Sequence, residues 1–484
     1  MADTSVEVEA EVKTAIARQI ETVAAETANM QKWFDLEPVR SGTGAPSRSP
    51  PGGPTYESLG LRPLINCKGT YTIISGSLML PEVREAMALA SQQYVQMEEL
   101  QFAAGSRISE LMQSEWALVT CGCSAALLQL TAACMSGTDP ELMCLLPDTS
   151  NPRIKNEVLV QRDQRDDYDA AVRMTGAKMV EYTSVADLTS KIGPRTALLL
   201  ALGDADSGGL GIGATHAEIT PAELVEVGHA HGVPVIVDAA AERPDVPNPY
   251  LAMGVDAVCY SGGKCMRGPQ TAGMTLGKKS LLQGAYLNGA PHHTLGRPVK
   301  AGKEEIMGIV AAVEQWVLVR DHAAEWTEWE RRLDVVEAAF LEATADLPAS
   351  AHVTTRRTVQ SEVGSMHITR DSDGVALTGK MGEGILAGHG RGPPNKSNVA
   401  PLLSLEWEGG AIAGRRAVPT PPEIVQACTD GAPRIEVVPL APGVEAGSVG
   451  GIRICPSMME VGDEEKVAKR LAALLALVPS AAKL

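Results

Sequence analysis

Between Tyr56 and about Arg320, short apolar runs recur between longer amphipathic stretches. Ala117–Thr120, Glu157–Gln161, Lys178–Tyr182, Ala197–Ala201, Val233–Asp238, Ala257–Tyr260 and Ala272–Leu276 have the length and apolar content of buried strands. Apolar strands alternating with helices predict an α/β domain with a mostly parallel sheet covered on both faces. Helical spacing runs over Pro81–Met97, then Ile108–Met112, and later from Lys303 to about Ala345. Beyond it, β-like runs at His352–Thr355, Ser365–Thr369, Arg434–Val438 and Gly451–Cys455, with a last helix at Glu464–Leu477, predict a smaller α+β domain. The Gly/Pro-rich stretch Gly379–Asn398 reads as a loop.

At the other end, Val12, Ile16, Ile20, Val23 and Ala24 give Val6–Phe34 an amphipathic helical stripe, suited either to a partner subunit or to its own domain. Arg40–Pro54 is a Pro/Gly/Ser-rich linker. The expected organisation is therefore an appendage over 1–55, a large domain over 56–320 and a small domain over 321–484.

Composition narrows the partners. Aromatic residues make up 4% of the 484 residues, so Ala, Val, Leu, Ile and Met must build the core. A formal charge of −17 disfavours a nucleic-acid partner, and Arg356, Arg357, Arg415 and Arg416 are expected on the solvated surface. The nine cysteines include no CxxC pair and sit mostly in apolar strings. They read as reduced thiols of a cytoplasmic protein, and no metal site is expected. The N-terminus lacks an apolar signal core, and no run of about 18 apolar residues occurs, so neither secretion nor a membrane span is expected.

Two positions suggest chemistry. Asp238 ends the run VPVIVD, where a buried charge needs compensation. Lys264 follows the next strand in YSGGK, 26 residues later. A carboxylate that keeps a pyridinium protonated and a lysine that carries a Schiff base are what pyridoxal 5'-phosphate requires. Ser261 lies on the same turn, placed to bond the phosphate, and Ala240 is small enough to lie against the ring. In TCGCSAA, Gly122, Cys123 and Ser124 open a helix whose N–H groups suit a phosphate, although a tight turn alone also calls for small residues.

These segments, with GLRPLINCKGTYTIISGSLMLPEV (60–83) and GRPVKAGKEEIMGIVAAVE (296–314), resemble the fold-type I pyridoxal-phosphate enzymes. The narrower resemblance is to the family related to L-seryl-tRNA(Sec) selenium transferase that includes D-glucosaminate-6-phosphate ammonia-lyase. It covers about Tyr56 to Leu477 and is strongest over 233–314. It implies a seven-stranded-type sheet and a homodimer or higher assembly with shared sites, in which Thr294, Gly296 and Arg297 reach a neighbour's cofactor phosphate.

The resemblance also implies that Arg453 binds a substrate carboxylate through its planar fork, where a salt bridge to the last helix is the alternative. Lys300 and Lys303 would hold an anionic substrate group or simply carry charge at a helix start. Relatives often stack a His or an aromatic residue on the cofactor ring, whereas this chain offers Gln164, Arg165 and Tyr168. Arg162 and Arg165 are placed to bind substrate or to form surface salt bridges. His292 and His293 stand as weak acid–base candidates, and His216, His229 and His231 as capping or surface residues.

The implied activity is that of a lyase on an amino acid: Lys264 takes the Cα proton, a β-substituent leaves, and a 2-keto acid and ammonia result. Racemisation or epimerisation is the alternative. Selenium transfer to seryl-tRNA and a non-catalytic binding module rank below both.

Overall fold

A computed structural model describes residues 53–203, 219–347, 349–360, 366–371, 374–378, 400–409, 418–440, 442 and 449–476. The expected helix at 6–34, nearly all of the linker, the loop at 379–398, Arg415, Arg416 and His216 lie outside them. The chain divides into two compact units, Met1–Leu64 and Ile65–Leu484. In the first, a short 3-10 turn at Glu57–Leu59 closes on Gly60, whose φ of 76° suits a residue without Cβ.

The second unit contains two large sheets. The larger has seven strands: β1 (Trp116–Thr120), β2 (Glu157–Gln161), β3 (Lys178–Tyr182), β4 (Thr196–Leu202), β5 (Val235–Asp238), β6 (Ala257–Ser261) and β7 (Gly273–Gly277). Their order is β1-β7-β6-β5-β4-β2-β3, and β7 alone runs against the rest.

Both faces of this sheet are buried, as continuous apolar strands require. Leu199, Val235, Val237 and Val258 face one core with helices α1 (Pro81–Ala90), α2 (Met97–Met112), α4 (Pro221–Ala230) and α6 (Lys303–Glu314). Leu198, Leu200, Ile236 and Cys259 face a second core with α3 (Gly122–Ser136) and α5 (Lys279–Leu287).

Two helical expectations need correction. The long helix from Lys303 breaks into α6, a π-helical turn at Gln315–Val319, and α7 (His322–Thr344). The break is local: Arg320 is extended, and the Asp321 carboxylate caps α7 by accepting from the N–H groups of Ala323 and Ala324. The stretch from Pro81 ends at Ala90, and a second helix begins at Met97, with Glu98 and Glu99 in its first turn beside the positive end of the dipole.

The smaller sheet is antiparallel throughout. Its strands β8 (Thr354–Gln360), β9 (Met366–Asp371), β10 (Gly374–Thr378), β11 (Ala400–Glu406), β12 (Val438–Leu440) and β13 (Gly451–Ile454) lie in the order β10-β9-β8-β11-β13-β12. Leu403, Leu405, Ile452 and Ile454 pack with α7, α8 (Pro421–Asp430) and α9 (Asp463–Ala476) in a third core.

Arg357, expected in solvent, is buried. It bonds Glu337 at 3.0 Å and Asp334 at 2.9 Å. Strand alternation explains this, because Arg357 pairs with Leu403 on the helix-covered face. Among the described residues no helix is long and apolar enough to cross a membrane.

Candidate active site

Three parallel strands, β1, β6 and β5, end at one edge of the larger sheet. At that edge Gly273 of β7 sits between Thr120 and Ser261, its register partners on either side. A Cβ on Gly273 would lie 2.7 Å from the Gly122 carbonyl carbon and 3.0 Å from Cys123 N. Glycine therefore lets the first turn of α3 settle beside Ser261. Gly122 itself has φ of +80°, and Cys121 supplies no side-chain cap to the helix start. An uncapped 15-residue helix that begins against Gly273, the register partner of Ser261, suits a phosphate.

Asp238 ends β5 and is 3% exposed, a burial that a carboxylate tolerates only with partners. Its Oδ1 accepts from Ala240 N–H at 3.0 Å and lies 3.1 Å from Cys123 Sγ. Cys259, opposite Asp238 in register, places its sulfur 3.0 Å from Cys123 Sγ and 3.9 Å from Asp238 Oδ1. The sequence reading assigned Cys123 only a backbone role at the phosphate. Its side chain instead serves Asp238.

These three groups offer metal-ligand atoms close together.

Lys264 stands on a half-buried turn just after β6. The turn is tied down through its carbonyls. Gly263 O accepts from Ser77 Oγ at 2.8 Å and Gln270 Nε2 at 2.7 Å, and Lys264 O accepts from Arg267 N at 2.9 Å. Cys265 O accepts from Arg320 Nη1 at 2.8 Å, while Cys265 Sγ donates to Glu242 O at 3.1 Å. Burial pushes the Cys265 thiol up to about 11, so it remains a proton donor at neutral pH. The glycine pair is required by contact, since a Cβ on Gly262 would lie 2.3 Å from Ile309 Cδ1 and 2.8 Å from Ala272 O.

Glu242 was missed by sequence reasoning. It is 2% exposed, with the Tyr250 hydroxyl donating to its carboxylate at 2.7 Å. A Cβ at Gly203 would fall 1.5 Å from Glu242 Oε1, so glycine at the end of β4 makes room for this acid beside Asp238, whose carbonyl accepts from Gly203 N. The run DAAAERP held the one available signal, an acid four residues after Asp238.

The other expected residues divide. Gln164 is buried and accepts from Leu202 N–H through Oε1, which ties it to the end of β4. Arg165 pairs with Asp169 and with Glu181 at 2.5 Å, and Arg162 with Glu181 at 3.3 Å, so the salt-bridge alternative holds for both. Tyr168 is exposed.

Thr294 Oγ1 donates to Leu287 O and Gly296 N to Asn288 O, which folds their segment back on the end of α5, with Arg297 and Lys300 exposed. Lys303 pairs with Glu304. Arg453 lies in β13 between Ser404 and Val438. His292 Nδ1 lies within hydrogen-bond distance of the Tyr286 and Gly289 carbonyls, His293 is exposed, His229 Nε2 lies 2.9 Å from Asp256, and His231 lies on the surface.

A family model described as "SelA: L-seryl-tRNA selenium transferase" matches residues 169–317. The chain is 32% identical over 287 residues to 5'-C-glycyluridine monooxygenase-decarboxylase of Streptomyces sp, covering 57% of this chain and 68% of that protein. It is 33% identical over 270 residues to D-glucosaminate-6-phosphate ammonia lyase of Salmonella typhimurium (strain 14028s / SGSC 2262), covering 54% and 69%. An L-seryl-tRNA(Sec) selenium transferase of Geotalea uraniireducens (strain Rf4) is 30% identical over 288 residues, covering 51% and 55%. Among solved structures, that of D-glucosaminate-6-phosphate ammonia-lyase superposes with a TM-score of 0.63 at 22% identity, over 87% of this chain and 98% of that one. At that identity the likeness shows a shared fold.

Proposed function

Because the chain belongs to the fold-type I, pyridoxal-phosphate-dependent family related to L-seryl-tRNA selenium transferase and D-glucosaminate-6-phosphate ammonia-lyase, we propose that it is a lyase acting on a β-substituted amino acid. The observation that carries this reading is the convergence of Asp238, Ser261, the Lys264 turn and the uncapped start of α3 at one sheet edge around Gly273.

These residues fit the cofactor. Ser261 and the N–H groups of Gly122, Cys123 and Ser124 would hold its phosphate, Asp238 its ring nitrogen, and Lys264 its aldehyde carbon, with Ala240 leaving space at the ring. Gln164, bonded to Leu202 at the same edge, is a candidate ring neighbour, and Thr294, Gly296 and Arg297 remain candidates for a partner copy's phosphate in a homo-oligomer. When bound, pyridoxal phosphate supplies an electron sink for a carbanion at the substrate's α-carbon.

The chain supplies the rest. Asp238 Oδ1 takes the Ala240 amide donor, and the carboxylate holds a proton at the ring nitrogen. The Lys264 amine, once displaced by the substrate amine, takes the Cα proton and can return it to the departing β-group. Arg453 orients the substrate carboxylate, with Lys300 as a candidate for a second anionic group. The net conversion of a β-hydroxy amino acid is to a 2-keto acid and ammonia. The same reading keeps the division into a large domain to about residue 320 and a small domain after it.

A second reading has its own support: the match to a monooxygenase-decarboxylase favours oxygen-dependent loss of CO2 from an α-amino acid. Incubating the cofactor-loaded protein with D- and L-amino acids and their phosphorylated sugar analogues in deuterated water separates the two. Keto acid with ammonia and no oxygen uptake supports the lyase. CO2 release with oxygen consumption supports the second reading, and inversion at Cα without ammonia would replace both with racemisation. In every case Lys264→Ala should lower turnover by at least about a hundredfold.

A further inference from the structure

The Asp238 carboxylate gathers donors on one oxygen, and a thiol among the close ones is unusual. Ala240 N–H and the Cys123 thiol both reach Oδ1, at 3.0 and 3.1 Å. Cys123 comes from the first turn of α3, and Cys259, in contact with its sulfur, comes from β6. All three side chains are buried.

Burial pushes the Cys123 thiol well above its ordinary range, and its contact with Cys259 and the charge of Asp238 push the same way. For Cys259 the contact with Cys123 acts downward, but burial and the Asp238 charge outweigh it. Both groups are therefore S–H rather than thiolate at neutral pH, and the one Cys123 proton is shared between Asp238 Oδ1 and the Cys259 sulfur. A donor to a carboxylate stabilises the charged form and weakens its hold on a shared proton. A thiol is a weak donor compared with a hydroxyl.

We propose that Cys123 is a positioning residue that sets how strongly Asp238 holds the proton on the cofactor's ring nitrogen, with Cys259 fixing the Cys123 side chain from the neighbouring strand. This rests on Asp238 being that nitrogen's partner. A thiol at this place leaves the carboxylate more basic than a serine would, yet less basic than it would be with its other donors alone. The strength of the electron sink would thereby be set through Asp238, by a residue whose backbone N–H would also serve the phosphate.

The test uses full-length protein loaded with pyridoxal phosphate labelled with 15N in the ring, comparing wild type, C123A, C123S and D238N. The ring-nitrogen chemical shift reports its protonation directly, and thermal unfolding of each loaded variant checks the fold. D238N should move the shift strongly toward the unprotonated form; if it does not, the assignment of Asp238 fails independently of Cys123. With that established, C123A should strengthen proton retention by about three- to tenfold, the weight of one weak donor to a charged acceptor. C123S should return the shift to the wild-type value or beyond it in the opposite direction. A C123A shift equal to wild type, or C123A and C123S moving together, overturns the proposal.

Discussion

Asp238 and Lys264 leave neighbouring parallel strands, yet they are held in different ways. Asp238 is the last residue of its strand, pinned by register against Cys259 and by donors from Ala240 and Cys123. Lys264 lies three residues past Ser261, where no ladder reaches, and its turn is fixed by donors to the carbonyls on either side of it. A residue on a strand inherits its position from the sheet, whereas one on a turn needs positioning contacts from elsewhere in the chain. Remote substitutions should therefore disturb Lys264 and leave Asp238 in place.

The largest effect is expected from Gly262→Ala. Its Cβ would meet the Ala272 carbonyl oxygen, part of the backbone, as well as the Ile309 side chain. Overpacking of this kind should cost about 2–3 kcal/mol. Thermal unfolding should show the loss, and cofactor capture by Lys264 should weaken further than the fold does. Equal weakening of both would mean that the turn is no more sensitive than the sheet.

This contrast also explains what could be read in advance. All seven strands of the larger sheet, together with Asp238, Ser261 and Lys264, are signalled by local pattern, because an apolar run and the polar residue that ends it are adjacent in sequence. Ser77 and Arg320 carry no such signal. They act on backbone carbonyls 186 and 55 residues away, and nothing in their own neighbourhoods marks them. β11 was missed for another reason: PLLSLE carries Ser404 and Glu406, both fully or almost fully buried, which dilute the apolar pattern of a central strand. The Arg243 and Arg320 guanidiniums lie 4.8 and 4.7 Å from the Trp316 ring centroid, a grouping that likewise follows from no single segment.

A middle-sized effect is expected at Arg320, which donates to Cys265 O and also pairs with Glu325 at 2.7 Å. Burial pushes Glu325 upward, but hydrogen bonds from His322 and Arg320 overcome it and hold the carboxyl at about 2. A depressed carboxylate contributes stability above its unfolded value of about 4.3, and the contribution is lost as pH falls toward the folded value. With partial exposure discounted, it amounts to about 1–2 kcal/mol. Arg320→Ala should remove part of that contribution, His322 keeping its share, and, by freeing the Cys265 carbonyl, loosen the Lys264 turn. Acid unfolding followed between about pH 5 and 2 should then begin at higher pH than in wild type. An unchanged acid limb would separate Glu325 from the turn.

The smallest effect, and the sharpest one for the comparison, is expected from Ser77→Ala. The Gly263 carbonyl would lose the Ser77 hydroxyl but keep the Gln270 amide, so no buried acceptor is left bare. The cost should be about 0.5–1 kcal/mol, the net weight of one neutral hydrogen bond rather than of an orphaned group. A turn that has lost one of two tethers on the peptide just before Lys264 should present its amine less uniformly. The visible absorbance of the proposed Lys264–cofactor adduct should therefore titrate at a different pH, while the 15N shift of the ring nitrogen, whose proposed partner is Asp238 at the end of its own strand, stays as in wild type. Movement of both signals together would show that the strand end and the turn respond as one body, and that the distinction between them fails.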